Sequence, residues 1–246
     1  MRIFFILFLQ VTLAISAFGQ LHLDDPDYIY QSVDGTVLDK DKVNDLLHSR
    51  QHYSLKEKEQ VDGTFLVTLV PITNKEFHRI IREKKKLAME MKGQKVPNYS
   101  LKDQNGNPIT NHTFDYQKVT VYNFWFTTCP HCLEEIPKLN EIVKEFPEGV
   151  TFIAPTFNTH TQVAKFLESN EFDYQIVTSA KSLAHDMHIR SYPSHYLIDH
   201  QGVIRDIIIG SSDHVIRKVK RHIRRLMEEA DDVTQEAVGN TTIVKN

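Results

Sequence analysis

The stretch Val119-Thr120-Val121-Tyr122-Asn123-Phe124-Trp125-Phe126-Thr127-Thr128-Cys129-Pro130-His131-Cys132-Leu133-Glu134-Glu135-Ile136-Pro137 decides the fold. Val119 to Phe126 is an apolar, β-branched and aromatic run, the pattern of a strand buried on both faces. Leu133 to Phe146 then reads as a helix, so the cysteine pair sits where a central strand passes into a helix. At that place the first thiol, Cys129, meets unpaired backbone N–H groups and the positive end of the helix dipole, which favour its thiolate. Cys132 lies one turn further in, more buried and within disulfide distance. Such a pair suits attack on a disulfide by Cys129 and resolution of the mixed disulfide by Cys132.

These are the only two cysteines of the chain. As a staple, the ring they close is poor: chain-entropy reasoning gives about 2 kcal/mol, against about 4.7 kcal/mol for a hundred-residue loop. The pair is therefore better suited to chemistry than to stabilisation.

Working outward, strands and helices alternate. Val96 to Leu101 and Pro108 to Thr110 flank an Asn105-Gly106 turn and predict a hairpin. Val150 to Ala154 and Tyr174 to Val177 read as strands, and Thr161 to Ser169 and Ser182 to Met187 as helices. Ser194 to Ile198 and Val203 to Ile209 form a second hairpin around His200-Gln201-Gly202. A last helix from Asp213 to Glu229 places Val215, Val219, Ile223 and Leu226 on one face, with Arg and Lys as its solvated remainder. From Asp231 the apolar period stops, and residues 231–246 are expected to be a disordered tail.

Upstream, residues 20–93 form a polar appendage. Val33-Asp34-Gly35-Thr36-Val37-Leu38 and Val61-Asp62-Gly63-Thr64-Phe65-Leu66 each read as a turn entering a strand. Thr73-Asn74-Lys75-Glu76 is a capping-box pattern opening a helix with Phe77, Ile80, Ile81, Leu87, Ala88 and Met91 near helical spacing. The Arg82-to-Lys86 charge run reads as its solvated face, and Gly93 closes it. The chain begins with Arg2, an apolar run from Ile3 to Ile15 and the small-x-small triplet Ala17-Phe18-Gly19, the order of a secretory signal peptide cleaved after Gly19. The run is shorter than the roughly 20 residues that span a bilayer, although an uncleaved N-terminal anchor is the alternative.

About 225 residues remain after cleavage, enough for one ordinary domain, 94–230, plus the appendage. A formal charge of −3 argues against a nucleic-acid partner and for no strong electrostatic choice of substrate. His160, His185, His188, His195 and His200 are scattered and read as surface or loop residues. His185 and His188 have i, i+3 spacing but lack further ligands, so no metal site is expected.

The stretch Asn123 to Pro137 resembles the signature of the TlpA and ResA group of thioredoxin-like envelope proteins, within the redoxin superfamily. Val96-Pro97-Asn98-Tyr99-Ser100-Leu101 with Asp103 to Ile109 is similar to that family's opening hairpin, and Tyr192-Pro193-Ser194-His195-Tyr196-Leu197-Ile198-Asp199 to its cis-proline strand. The resemblance covers Val96 to Met227. It implies an α/β thioredoxin fold: a central mixed sheet flanked by helices, opened by a β-hairpin and here preceded by a small α+β appendage. It also implies a thiol:disulfide oxidoreductase of the periplasm or cell envelope that acts on protein thiols and disulfides. Its redox group would be the Cys129–Cys132 disulfide with no other cofactor, served by a membrane thiol carrier or a quinone-linked partner.

Residue by residue, Pro193 matches the cis-proline, leaving the backbone of Tyr192 to pair with an extended substrate. Tyr192, Pro193, Trp125 and Thr128 are the candidate substrate-binding residues. Glu135 matches the family's acid near the disulfide, a proton acceptor for Cys132; otherwise it is an exposed carboxylate in the helix's first turn. Asn123 occupies the place of the buried Asp of ordinary thioredoxins, and Pro137 matches a helix-kinking proline. Two residues depart from the pattern: Thr128 replaces a usual Trp, and Pro130-His131 resembles the dipeptide of the oxidant DsbA. His131 close to the Cys129 sulfur would favour thiolate and so a more oxidising disulfide.

The scaffold thus implies a reductase, whereas the dipeptide implies an oxidant or isomerase. A peroxidase of the related peroxiredoxin kind needs a Thr where Phe126 stands. A zinc or copper module would want a second cysteine pair. Sequons at Asn98, Asn111 and Asn240 matter only in a eukaryotic secretory pathway.

Overall fold

The computed structural model describes residues 14–15, 27–47, 49, 51–111 and 118–241, with side chains over 27–46, 49, 51–111 and 118–230. The expected signal peptide lies outside the described residues, apart from Ala14–Ile15 (β1), a two-residue strand. The chain divides into two compact units, residues 1–83 and 84–246.

Unit 1 contains β2 (Tyr28–Ser32), β3 (Val37–Leu38), α1 (Lys40–Leu47), β4 (His52–Glu59) and β5 (Phe65–Ile72). Its five-stranded sheet has the order β1-β4-β5-β2-β3. The two similar hexapeptides are two copies of one device. In each, the Asp carboxylate accepts the backbone N–H of the following Thr: Asp34 from Thr36 at 3.1 Å, and Asp62 from Thr64 at 3.0 Å. In each, the Gly takes φ +86°, which costs a residue without Cβ little. Each turn closes an antiparallel hairpin, β2–β3 and β4–β5. Val43, Leu55, Val67, Leu69 and Tyr30 form the small core.

The helix α2 (Asn74–Met89) opens on the expected capping box, with Thr73 Oγ1 accepting the Glu76 N–H and Glu76 Oε2 accepting the Thr73 N–H. The division between units falls inside it, earlier than the expected boundary near 94, because Ala88 and Met91 belong to a core of unit 2. The charge run is not wholly solvated: Lys84 is 5 % exposed, whereas Leu87 is 42 % exposed.

Unit 2 continues with β6 (Ser100–Asp103), β7 (Pro108–Thr110), β8 (Val119–Phe124), α3 (Pro130–Glu145), β9 (Val150–Pro155), α4 (His160–Leu167), β10 (Gln175–Thr178), α5 (Lys181–Asp186), β11 (Ser194–Ile198), β12 (Ile204–Ile209) and α6 (Asp213–Thr241). Its seven-stranded sheet runs β12-β11-β8-β9-β10-β6-β7. β8 is buried along its whole length, parallel to β9 and antiparallel to β11. The sheet is thus mixed and flanked by helices, with β6–β7 as the opening hairpin. One apolar layer holds Trp125, Ile136, Leu139, Ile142, Val219, Ile223 and Leu226; the other holds Tyr122, Phe124, Ile153, Leu183, Met187 and Tyr196.

Ile216, Val219, Ile223 and Leu226 of α6 are buried, and its Lys220 and Arg224 pair with Glu145 of α3. The helix does not stop at Glu229 as the sequence predicts but continues to Thr241. Loss of an apolar stripe removes a packing face, not helix propensity, and Gln235, Glu236 and Ala237 favour helix ahead of Gly239. Among the described residues no helix is long and apolar enough to cross a membrane.

Candidate functional site

β8 delivers the chain directly to the start of α3. Cys129 is the N-cap of that helix and Pro130 its first residue, where a missing N–H costs nothing. The Cys129 sulfur accepts the Cys132 backbone N–H at 3.3 Å and is joined to Cys132 in a disulfide, with Cα atoms 5.2 Å apart. Cys129 is 4 % exposed and Cys132 1 %. Thr128, Pro130 and His131 around them are exposed.

The loop before Cys129 is anchored from across the sheet. Asn158, buried after β9, accepts the Thr127 N–H and the Thr156 hydroxyl on one oxygen, both at 2.9 Å, and donates to Gln162. Phe126, Phe157 and Tyr192 form an aromatic cluster with ring centroids 5.2, 5.3 and 5.9 Å apart. Phe126 and Tyr192 pack in the same apolar layer as the two cysteines. The Tyr192–Pro193 peptide is cis. Burial raises the Tyr192 phenol well above its ordinary range, with the Arg190 charge acting the other way.

Two expected placements are corrected. Trp125 does not face substrate: it is fully buried, packed against Phe166 and Phe172, and its indole N–H donates to the Ala154 carbonyl at 3.3 Å. Trp125 and Phe126 follow the end of β8 and both enter the apolar layer that holds the cysteines, Trp125 against Phe166 and Phe172 and Phe126 against Phe157 and Tyr192. His195 is not a loop histidine: it lies in β11 and is 0 % exposed.

Glu135 is buried as well, at 3 % exposure, which removes the alternative of an ordinary exposed carboxylate. Its Oε1 accepts from Asn123 Nδ2 at 2.9 Å, and its Oε2 lies 3.4 Å from His195 Nε2. Asn123 Nδ2 also lies 3.3 Å from His195 Nδ1. Asn123 and His195 are cross-strand partners on β8 and β11, so their side chains share a face. Tyr174 completes the neighbourhood; burial, then the Glu135 charge, raise its phenol well above the ordinary range. The one local signal for His195 was its place beside Tyr196, Leu197 and Ile198 in an apolar strand, which the structure sets between β8 and β12.

His131 points elsewhere. Its side chain is 72 % exposed and its Nδ1 lies 3.3 Å from Glu134 Oε2, an i, i+3 pair on the helix surface. Asn98 and Asn111, in two of the sequons, bond to each other at 3.0 Å, and Asn111 is buried.

A redox pair capping the helix that follows the central strand, beside a cis-proline loop, defines a thioredoxin-like dithiol–disulfide protein. The AhpC/TSA family matches residues 92–207. The thioredoxin-like protein YneN of Bacillus subtilis (strain 168) is 29 % identical over 158 residues, 63 % of this chain and 91 % of YneN. The thiol-disulfide oxidoreductase ResA of Halalkalibacterium halodurans is 30 % identical over 121 residues, 48 % of this chain and 68 % of that protein. A solved structure of a putative thiol:disulfide interchange protein DsbE from Chlorobium tepidum superimposes with a TM-score of 0.52 at 18 % identity, covering 55 % of this chain and 97 % of the other, which shows the fold. The chain belongs to the ResA-like thiol-disulfide oxidoreductases, redoxins of the thioredoxin fold. It is accordingly an oxidoreductase.

Proposed function

We propose that the protein reduces disulfides in exported proteins of the cell envelope, using Cys129 and Cys132 as its sole redox group. The observation that carries the direction is the placement of His131. Its exposed ring lies beside the Glu134 carboxylate and among water, surroundings that screen any field it exerts on a Cys129 thiolate. The Pro-His dipeptide then loses the electrostatic effect that would make the disulfide strongly oxidising.

In the proposed cycle the Cys129 thiolate, favoured by the Cys132 N–H and the helix N-terminus, attacks a substrate disulfide. One substrate sulfur leaves as thiolate and a mixed disulfide forms. Cys132 gives up its proton, with Glu135 as acceptor, and attacks the Cys129 sulfur. The second substrate sulfur leaves, and the protein is left with the disulfide seen here. A membrane thiol carrier supplies two electrons and two protons to restore the dithiol. The backbone of Tyr192 and the cis Pro193 offer an edge for an extended substrate, and Thr128 with the Phe126–Phe157–Tyr192 cluster forms the shelf beside it. The N-terminal pattern of Arg2, apolar run and Ala17-Phe18-Gly19 supports export with cleavage after Gly19. Phe126, at the position a peroxidase fills with Thr, is occupied in aromatic packing, which disfavours peroxide chemistry.

The test is the reduction potential of the Cys129–Cys132 pair in glutathione buffers, with His131→Ala alongside. A potential near or below about −250 mV, little changed by the substitution, supports reduction. A potential above about −180 mV that falls on removing His131 overturns it in favour of an oxidant or isomerase.

A further inference from the structure

His195 is the buried ionisable side chain that the cycle above leaves without a task. It sits in a strand buried on both faces, two residues beyond the cis-proline, and reaches no solvent. Burying an imidazole there costs free energy unless its nitrogens are answered. The contacts around it fix its chemistry. Glu135, as a carboxylate, can only accept, so the Asn123 group turned to Oε1 must be the NH2. That same NH2 also faces His195 Nδ1, which makes Nδ1 an acceptor and leaves the ring proton on Nε2. Nε2 in turn faces Glu135 Oε2 at 3.4 Å.

Among the described residues neither of those two atoms has a hydrogen-bond partner; they are within ion-pair range but misaligned for a hydrogen bond in this oxidised state. Each carboxylate oxygen thus faces an N–H donor. Glu135 stands three residues after Cys132 on α3, so the two side chains lie on one side of the helix a turn apart. Tyr174 is the other titratable group against Glu135, and its hydroxyl also has no partner among the described residues.

We propose that His195 is a positioning residue for thiol–disulfide exchange: its Nε2–H fixes the Glu135 carboxylate as the proton acceptor for Cys132 in the step that resolves the mixed disulfide. The proposal rests on Cys132 being the resolving thiol. In that step the Cys132 S–H bond breaks and its proton passes to the carboxylate. The Cys132 sulfur bonds to the Cys129 sulfur, and the bond between Cys129 and the substrate sulfur breaks with its electron pair leaving on the substrate. Without the Nε2–H, a buried carboxylate oxygen loses the donor facing it and favours the protonated acid, which cannot take a proton. On closing the gap from 3.4 Å, the histidine holds the acceptor form through the reaction.

The reduced full-length protein reacting with 5,5′-dithiobis(2-nitrobenzoate) reads the two steps separately. Release of the first thionitrobenzoate reports attack by Cys129, and release of the second reports resolution by Cys132. His195→Leu keeps the volume and removes the donor; His195→Gln keeps a donor. The expected result is a second phase slowed tenfold or more at pH 7 in H195L and shifted to higher pH, with the first phase within twofold. H195Q retains the second phase within threefold, and H195L adds no further slowing in a Glu135→Gln background. A second phase within twofold of wild type in H195L across pH 6–9, or equal slowing by H195L with and without Glu135, overturns the proposal.

Release of a single thionitrobenzoate per wild-type molecule, with the mixed disulfide on Cys129 persisting, would instead overturn the resolving role of Cys132. A measurement on the unmodified protein stands beside these: long-range 15N–1H spectra must show His195 as the Nε2–H tautomer, with its ring nitrogens shifting on reduction of the disulfide. An Nδ1–H tautomer overturns the proposal whether or not H195L folds.

Discussion

Replacing Lys84 with Met should remove a specific pH dependence from the stability of the protein. Lys84 is 5 % exposed, and burial, then the Arg190 charge, lower its ammonium from 10.5 to about 8. The difference between those two values, taken at 1.36 kcal/mol per unit, amounts to about 3 kcal/mol. Between pH 8 and 10.5 the unfolded chain holds more protons at this site than the folded chain. Stability from this group therefore rises with pH across the window, and its full penalty is present below it. Lys84→Met has no such contribution, so the stability of K84M minus that of wild type should fall by about 3 kcal/mol between pH 7 and pH 10.5. Tyr192 and Tyr196 are buried phenols raised above their ordinary range and act in the opposite sense in strong alkali, but both proteins carry them and the difference cancels. Urea unfolding at pH 7, 8, 9 and 10, followed by the fluorescence of Trp125, the sole tryptophan, reads this difference directly. A difference that stays flat with pH refutes the reasoning, because it would mean that Lys84 reaches water in the folded state.

Three further predictions separate packing from recognition around the disulfide. Trp125→Phe removes the indole N–H donated to Ala154 and part of the contact with Phe166 and Phe172, and should destabilise unit 2 by about 1–3 kcal/mol. Tyr192→Ala should instead raise KM for a protein disulfide several-fold while leaving the rate with a small aromatic disulfide within twofold; steady-state turnover of both substrates by both variants decides the assignment. Asn158→Ala leaves the Thr127 N–H without its acceptor and should cost about 1–3 kcal/mol in urea unfolding, with faster amide hydrogen exchange at Thr127.

The fold was legible where one residue pattern had one structural solution. The Val119–Phe126 run is too apolar to be anything but interior, and the cysteine pair after it could only fall at a strand-to-helix junction. The Asn105-Gly106 and Asp-Gly-Thr turns were equally plain, since Gly106, Gly35 and Gly63 each take positive φ. β4 was not legible: of His52–Glu59 only Leu55 is buried, and the Lys and Glu residues around it give no alternating apolar pattern. Nor was the burial of Lys84, because a charged residue inside a charge run gives no hint that it is shielded from water. At the site, Cys129 and Cys132 followed from their place at a strand-to-helix junction and Glu135 from the family resemblance, whereas His195 acquires its partners from β8 and α3, over a separation no local pattern encodes.

That difference in range also separates what can tune each sulfur. Cys129 is governed by its own helix start: the Cys132 N–H, the Pro130-His131 dipeptide and Glu134 lie within one turn of it. Substitutions there change the charge beside the nucleophile without entering the core, so the potential can move while the fold stays intact. Cys132 instead stands one turn before Glu135 on α3, within a buried group drawn from β8, α3, β11 and the approach to β10: Asn123 donates to Glu135, His195 lies within ion-pair range of it and Tyr174 feels its charge. Removing the Asn123 amide would leave Glu135 Oε1 without its donor, which links proton handling to stability. On the proposed reading the direction of exchange is thus set at the exposed helix start and the resolving step in the core. A DsbA-like dipeptide can therefore stand on a ResA-like scaffold without making the disulfide strongly oxidising, because His131 lies beside Glu134 at the exposed surface.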